Sequence, residues 1–372
     1  MLNQACRMHL YIHIPFCHRI CPYCSFYKHT PGKTDMKRFI DALLKEASLR
    51  LPGCPPVTTI YFGGGTPSML SSTHLSRLVE GLGVYADISS VEEFSFEANP
   101  ATFTAKKAEL WRQLGITRIS LGIQSWDASF LSMLGRTHTP EQARESILLL
   151  RQVGMPQVNI DLMFSLPGQT VASWKETLET TLEQNPDHIS TYNLTYEEDT
   201  DFYRRHAAGL MESDEDRDAA MFELAHGMLT GAGYRHYETS NYAQGGALSL
   251  HNLAYWQGED YIGIGPGAYS TVGRTRSFNT GNTTDYISAL LEHSRIPEQR
   301  ERLDDAAYRT ERIGLLLRTD TGLPDSWLRM EDSPLVAELI REHMAARQDN
   351  GNIVLTGRGR LLVDAIAVEL ID

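Results

Sequence analysis

At 372 residues, 42% hydrophobic and 22% charged, the chain has the composition of a globular protein long enough for one large core and an appended domain. Its 34 basic and 47 acidic residues leave a formal charge of −13 with no basic tract, which argues against nucleic-acid binding as its main business. No apolar run approaches the roughly 20 residues of a membrane span.

The N-terminal stretch MLNQACRMHLYIHIP has no basic segment followed by an apolar one, so no signal or transit peptide is expected. It runs at once into the first of six β-rich runs: HLYIHIP (9–15), TTIYFGGG (58–65), EEFSFEANP (92–100), RISLGIQS (118–125), QVNIDLMFSLPG (157–168) and HISTYNLTYE (188–197). Stretches such as MKRFIDALLKEASLRL and THLSRLVEGLGVY lie between them, with apolar residues at helical spacing. Ser71, Ser72 and Thr73 mark one helix start, and Pro186–Asp187 precedes the last strand. This alternation predicts parallel βαβ units in an α/β fold, and six of them point to a barrel or partial barrel.

The strand ends carry residues a purely structural strand would not want: Cys17, the run Gly63–Gly64–Gly65–Thr66, Glu97, Gln124, Asp161 and Asn193. In a β/α barrel the catalytic face is built at those carboxyl ends. From about residue 213 the pattern changes to a charged helix, then YRHYETSNYA, then the aromatic and glycine-rich SLHNLAYWQGEDYIGIGPGAYS. The tail GNIVLTGRGRLLVDAIAVEL reads as a short β-ribbon followed by a helix, a winged-helix-like module. Without a strong basic face it is expected to dock or support rather than bind DNA. The expected partition is a core over 1–235, an aromatic and glycine-loop region over 236–300, and the terminal module over 301–372.

Three of the five cysteines fall within eight residues, in His13-Ile-Pro-Phe-Cys17-His-Arg-Ile-Cys21-Pro-Tyr-Cys24-Ser-Phe26. An odd, clustered set does not make a disulfide framework, and thiols that bind metal must stay reduced, so a cytoplasmic home is expected. Cys6 and Cys54 stand alone and read as incidental. Spacing C-x3-C-x2-C on a loop after a strand lets three thiolates hold a [4Fe–4S] cluster and leaves one iron open. The alternative, structural zinc, wants four ligands; there is no second cysteine pair, and His18 would have to be the fourth.

With Tyr23 before Cys24, the pattern C-x3-C-x-aromatic-C resembles the radical S-adenosylmethionine superfamily signature. The resemblance implies a partial (β/α)6 barrel followed by a C-terminal α+β domain. It also implies that the amino acid end of S-adenosylmethionine chelates the open iron, while the protein supplies orientation and shielding. The motifs YIHIPFC, GGGTP, FEANP, LGIQS, NIDLMFSLPG and GIGPGA, spread over most of the chain, are similar to those of two families. One is the oxygen-independent coproporphyrinogen III oxidases; the other is their relatives, the heme chaperones. By that likeness Tyr11, Gly64 and Glu97 surround the cluster-bound S-adenosylmethionine. Gly65, Thr66, Gln124, Arg136 and Asp161 match positions assigned in the oxidase to a second molecule. GIGPGA reads as a tight turn near the cofactor rather than a dinucleotide site.

Three features separate the families. The oxidase pattern continues to a fourth cysteine, where this chain has Phe26. The oxidase carries a longer arm before its first strand. And His251-Asn252-Leu253-Ala254-Tyr255-Trp256 fits the H-N-x-x-Y-W motif of the heme chaperones. A neutral imidazole from His251 is suited to axial ligation of heme iron, and Tyr255 and Trp256 offer flat apolar area to a porphyrin. The expected function is therefore a heme chaperone that passes heme to acceptor hemoproteins. Coproporphyrinogen decarboxylation, and another radical reaction on heme, are the competing functions. The acceptor, peripheral membrane contact and the choice of monomer or homodimer stay open.

Overall fold

The structure, a computed structural model, describes residues 7–371; Cys6 lies outside them. The chain opens with β1 (Met8–Ile14), α1 (Met36–Arg50), β2 (Val57–Gly64), α2 (Ser72–Leu82), β3 (Glu93–Ala98), α3 (Ala105–Gln113) and β4 (Arg118–Gln124). Two helices, α4 (Ala128–Met133) and α5 (Pro140–Gln152), lead to β5 (Gln157–Phe164), α6 (Val171–Glu183) and β6 (His188–Asn193). Next come α7 (Asp201–Ala207), α8 (Glu215–Gly231), β7 (Arg235–Glu238), β8 (Asn241–Ala243) and α9 (Leu250–Trp256). They are followed by β9 (Tyr261–Ile264), β10 (Tyr269–Val272), β11 (Thr275–Asn279), α10 (Thr283–Leu291) and β12 (Glu298–Arg302). The tail holds α11 (Asp305–Leu316), α12 (Ser333–Arg341), β13 (Ala345–Arg347), β14 (Ile353–Leu355) and α13 (Val363–Ile371).

Each of the first six helices starts at a side chain that satisfies its free backbone donors. Asp35, Ser71, Thr104, Asp127, Thr139 and Thr170 accept from N–H groups two or three residues on. Two compact units result. Of the described residues, the first takes 7–162, Thr195–Met211 and Glu259–Arg302; the second takes Met163–Leu194, Glu212–Gly258 and 303–371.

In the first unit, strands β9, β1, β2, β3, β4 and β5 pair in that order, all parallel. Leu10, Ile12 and Ile14 of β1, Phe62 of β2, Phe94 and Phe96 of β3, and Ile119 and Leu121 of β4 are buried. Burial along the length of these strands is what helix-covered parallel sheets require. Antiparallel strands β10, β11 and β12 extend the sheet beyond β9. The β9 strand was not among the six expected. It is short and interrupted by Gly263, which hides its periodicity; a β-carbon there would run into the Tyr269 carbonyl.

Register His9↔Tyr261 to Ile12↔Ile264 draws residues some 250 positions away into the first unit. Each compact unit is therefore assembled from separated stretches of the sequence. Glu46 of α1 secures this junction. Wholly buried, its carboxylate accepts from Arg50 Nε (2.6 Å), Asn279 Nδ2 (2.8 Å), the Gly265 N–H (3.0 Å) and the Tyr286 hydroxyl (2.5 Å). Four donors, one of them the Arg50 cation, are what makes a buried carboxylate tolerable.

In the second unit β6 and β7 flank β8, both antiparallel to it. Near the C-terminus, β13 and β14 form an antiparallel hairpin and α13 follows; of the two strands, only β14 falls within the stretch GNIVLTGRGRLLVDAIAVEL. Their apolar side chains, among them Ile353, Leu355, Ile366 and Leu370, share one core with Ile313, Val336 and Leu339. Among the described residues, no helix is long and apolar enough to cross a membrane.

Candidate functional site

Cys17, Cys21 and Cys24 lie half-buried on the loop between β1 and α1. That loop is pinned at several points. The Cys17 N–H donates to the His29 carbonyl (3.0 Å) and the His29 N–H to the Pro15 carbonyl (2.8 Å). Phe16 is buried edge-on against Phe39, ring centroids 4.8 Å apart. The N–H of Phe202, at the start of α7, donates to the Pro22 carbonyl (3.1 Å).

His13 ties the strand to the far side of the loop. Its Nε2 lies 2.8 Å from the Tyr27 carbonyl, and its Nδ1 lies 3.1 Å from the Tyr11 hydroxyl. A carbonyl only accepts, so Nε2–H donates and Nδ1 accepts from the tyrosine. Burial lowers the His13 pKa to about 4, which keeps that neutral tautomer.

The glycine run forms the neighbouring shelf, and each glycine has its own reason. A β-carbon on Gly63 would lie 2.9 Å from the Glu97 carboxylate. One on Gly64 (φ +108°) would lie 2.5 Å from the His13 ring, and one on Gly65 2.8 Å from the backbone of Phe16. Side chains are thus kept out where backbone, cysteine loop and ligand must approach closely.

Polar groups from β1 to β5 gather around this shelf. Glu97 accepts from the Tyr61 hydroxyl (2.9 Å) and the Gly64 N–H (3.1 Å), and Tyr61 stacks on Tyr11. Burial raises the Glu97 pKa to about 7, with Asp161 adding to the shift and the two hydrogen bonds opposing it. Asp161 accepts from Ser120 (2.8 Å) and Asn159 (2.7 Å). Arg136 arrives from the turn after α4, donating to Asn99 Oδ1 and the Gly122 carbonyl, both at 2.6 Å. Gln124 ends β4 in the left-handed region (φ +70°), an outlier for a non-glycine residue.

Two of these groups point at sulfur. The Thr66 hydroxyl donates to Cys17 Sγ (3.5 Å) and Arg136 Nη1 to Cys21 Sγ (3.8 Å). Burial raises the Cys17 and Cys24 thiols above their ordinary range, while Thr66 and Lys28 pull the other way. Among the described residues, no three His, Cys, Asp or Glu side chains converge as a single metal ion would need. A cluster asks for something different, because each thiolate reaches its own iron and donors to sulfur tune its charge. The residues present therefore fit a cluster better than zinc.

The first unit thus holds Gly64, Gly65, Thr66, Glu97 and Gln124 at or near strand ends, Tyr11 and Asp161 within β1 and β5, and Arg136 beyond α4, in the same unit as the three cysteines. Sequence reading missed Tyr61, Asn99, Ser120 and Asn159. Asn99 had a visible signal, the polar end of FEANP; the other three sit inside strands and gave none. Asn193 belongs to the second unit, exposed and 3.5 Å from Asp218. Cys54 donates to the Arg50 carbonyl (3.0 Å) at the end of α1, as an incidental thiol would.

His251 also lies in the second unit, on α9, and is wholly buried. Its Nε2 is 2.9 Å from the Tyr255 hydroxyl, with the rings edge-on at 4.7 Å. The Arg318 guanidinium lies over the Trp256 ring at 5.7 Å.

A cysteine loop and a glycine shelf at the carboxyl ends of parallel strands define a radical S-adenosylmethionine protein, and residues 11–181 match the Radical SAM superfamily. Its cofactors are a [4Fe–4S] cluster and S-adenosylmethionine. The heme chaperone HemW of Escherichia coli (strain K12) is 38% identical over 348 residues, 88% of this chain and 90% of that protein. HemW of Bacillus subtilis (strain 168) is 32% identical over 363 residues, covering 95% of this chain and 96% of that one. The chain belongs to the HemW family. In fold it is similar to the coproporphyrinogen III oxidase HemN of Escherichia coli, with a TM-score of 0.82 at 24% identity over 97% of this chain and 89% of that one.

Proposed function

We propose that this protein is a heme chaperone: it binds heme and passes it to acceptor hemoproteins while keeping a cluster and S-adenosylmethionine site. The observation that carries this is the HNLAYW stretch (251–256), set in a chain 32% and 38% identical to heme chaperones over nearly its whole length. Cys17, Cys21 and Cys24 hold the cluster, with Thr66 and Arg136 as donors to sulfur. Tyr11, Gly64 and Glu97 receive S-adenosylmethionine; Gly65, Thr66, Gln124, Arg136 and Asp161 line the adjoining shelf. His251 is the axial ligand to heme. A reduced cluster held there would supply an electron able to cleave the sulfonium of S-adenosylmethionine; whether the working cycle uses that cleavage is a separate question.

In this reading 1–235 is the cofactor platform, 236–300 carries the heme motif, and 301–372 supports or docks. Three thiols that must stay reduced to bind metal support a cytoplasmic home. The test is anaerobic reconstitution followed by paired assays. Stoichiometric heme binding that His251→Ala abolishes, without coproporphyrinogen turnover, is the expected result. Robust anaerobic decarboxylation of coproporphyrinogen III would overturn it in favour of the oxidase.

A further inference from the structure

His251 is in no position to meet a porphyrin as it stands. It is 0% exposed, and its Nε2 is engaged by the Tyr255 hydroxyl one helical turn on. A ligand to heme iron needs a free ring-nitrogen lone pair and an approach wide enough for the macrocycle. Both have to be created by movement of α9.

Helix α9 is short and lacks a side-chain capping bond at its start. It has seven residues, and the buried Oγ of its N-cap Ser249 has no partner at all. A short, uncapped helix has little stability of its own. Left-handed glycines bracket it: Gly245 (φ +57°) and Gly246 (φ +80°) before, Gly258 (φ +63°) after. At its start the Ser249 N–H donates to the Tyr237 hydroxyl (3.1 Å), which itself lies 2.7 Å from His188 Nε2.

We propose that Tyr255 is a latch on the heme ligand. In the resting protein its hydroxyl occupies His251 Nε2 and its ring covers the imidazole edge. Heme binds once Tyr255 swings off and α9 tilts on its glycines, exchanging the tyrosine hydrogen bond for the iron. The inference rests on His251 being the heme ligand. It changes the part assigned to Tyr255, from a flat surface for the porphyrin to the group that positions and masks the histidine.

The test compares wild type, Tyr255→Phe and His251→Ala, each full-length and reconstituted. Two readouts are used: stopped-flow heme association, and protection of His251 from diethylpyrocarbonate, mapped by mass spectrometry without heme. In wild type, protection is expected together with an association rate that levels off as heme is raised, because opening limits it. Tyr255→Phe keeps the ring and removes the hydroxyl. It should speed association about fivefold, the worth of one ordinary hydrogen bond, and make His251 reactive. An unchanged rate and unchanged protection would sink the latch, as would loss of heme binding in Tyr255→Phe, which would make the tyrosine a heme contact. Wild-type heme binding by His251→Ala would overturn the ligand assignment itself, and is read in a different variant.

Discussion

Gly65 lies directly against Phe16: a β-carbon on the glycine would sit 2.8 Å from both the amide nitrogen and the carbonyl oxygen of the phenylalanine. Neither is the end of a flexible side chain, so backbone would have to shift. Phe16 precedes Cys17, and its ring is locked into the core against Phe39. The second βα unit therefore sets the height of the cysteine loop. Gly65→Ala is expected to keep wild-type secondary structure by circular dichroism yet lose most of its reconstituted cluster, measured as iron and sulfide per chain.

Arg136 joins the shelf to the loop through Asn99, Gly122 and Cys21. Arg136→Ala leaves two acceptors short of a charged donor and should cost about 2 kcal/mol in denaturant unfolding. It also removes a cation beside the thiolates, which disfavours the more negative reduced cluster. A potential lower by roughly 40 mV, the one-electron equivalent of about 1 kcal/mol, is expected in potentiometric titration followed by electron paramagnetic resonance.

Glu46 should matter far more than its distance in sequence from β9 implies. Glu46→Ala leaves the buried Tyr286 hydroxyl and the Gly265 N–H without their acceptor, while Arg50 keeps Glu298 (2.6 Å) and Asn279 Nδ2 keeps the Gly265 carbonyl (2.9 Å). Loss of about 2–4 kcal/mol is expected in urea unfolding. Glu46→Gln should lose less, because the amide oxygen still accepts from two of the four donors.

Glu238 provides a pH signature in the second unit. Burial raises its pKa to about 7, against opposing hydrogen bonds from Ser240, Asn241 and Trp256 and the charge of Arg360. The folded protein then holds a proton that the unfolded chain gives up near its ordinary value, so the stability contributed by Glu238 falls as pH rises from about 4.5 to about 7. Neighbouring His236 is pushed well below its ordinary range by burial and works in the opposite direction. Glu238→Gln isolates the carboxyl. Relative to wild type it should gain about 2–3 kcal/mol across that window and hold a constant advantage above it, measured by unfolding at each pH.

What was legible in the sequence was short-range. Cys17, Cys21 and Cys24 sit within one turn-rich loop after a buried strand, Gly63–Gly64–Gly65–Thr66 follows the next strand, and Ser71 caps the helix after that. Spacing, strand burial and capping are properties of neighbouring residues, so the cofactor loop and the βα alternation were already visible. The heme motif was legible as letters; that His251 and Tyr255 are helical neighbours also follows from their spacing.

The tertiary structure decided what depends on distant partners. Pairing of β9 with β1 brings Tyr261 beside His9, and the burial of Glu46 has meaning only once Asn279 and Tyr286 surround it. Arg136 reaches Cys21 across more than a hundred residues. The burial of His251 separates the histidine proposed as a ligand from one ready to bind. Local sequence determined which chemistry the side chains carry; long-range packing determined which of them are held in place, and which are covered.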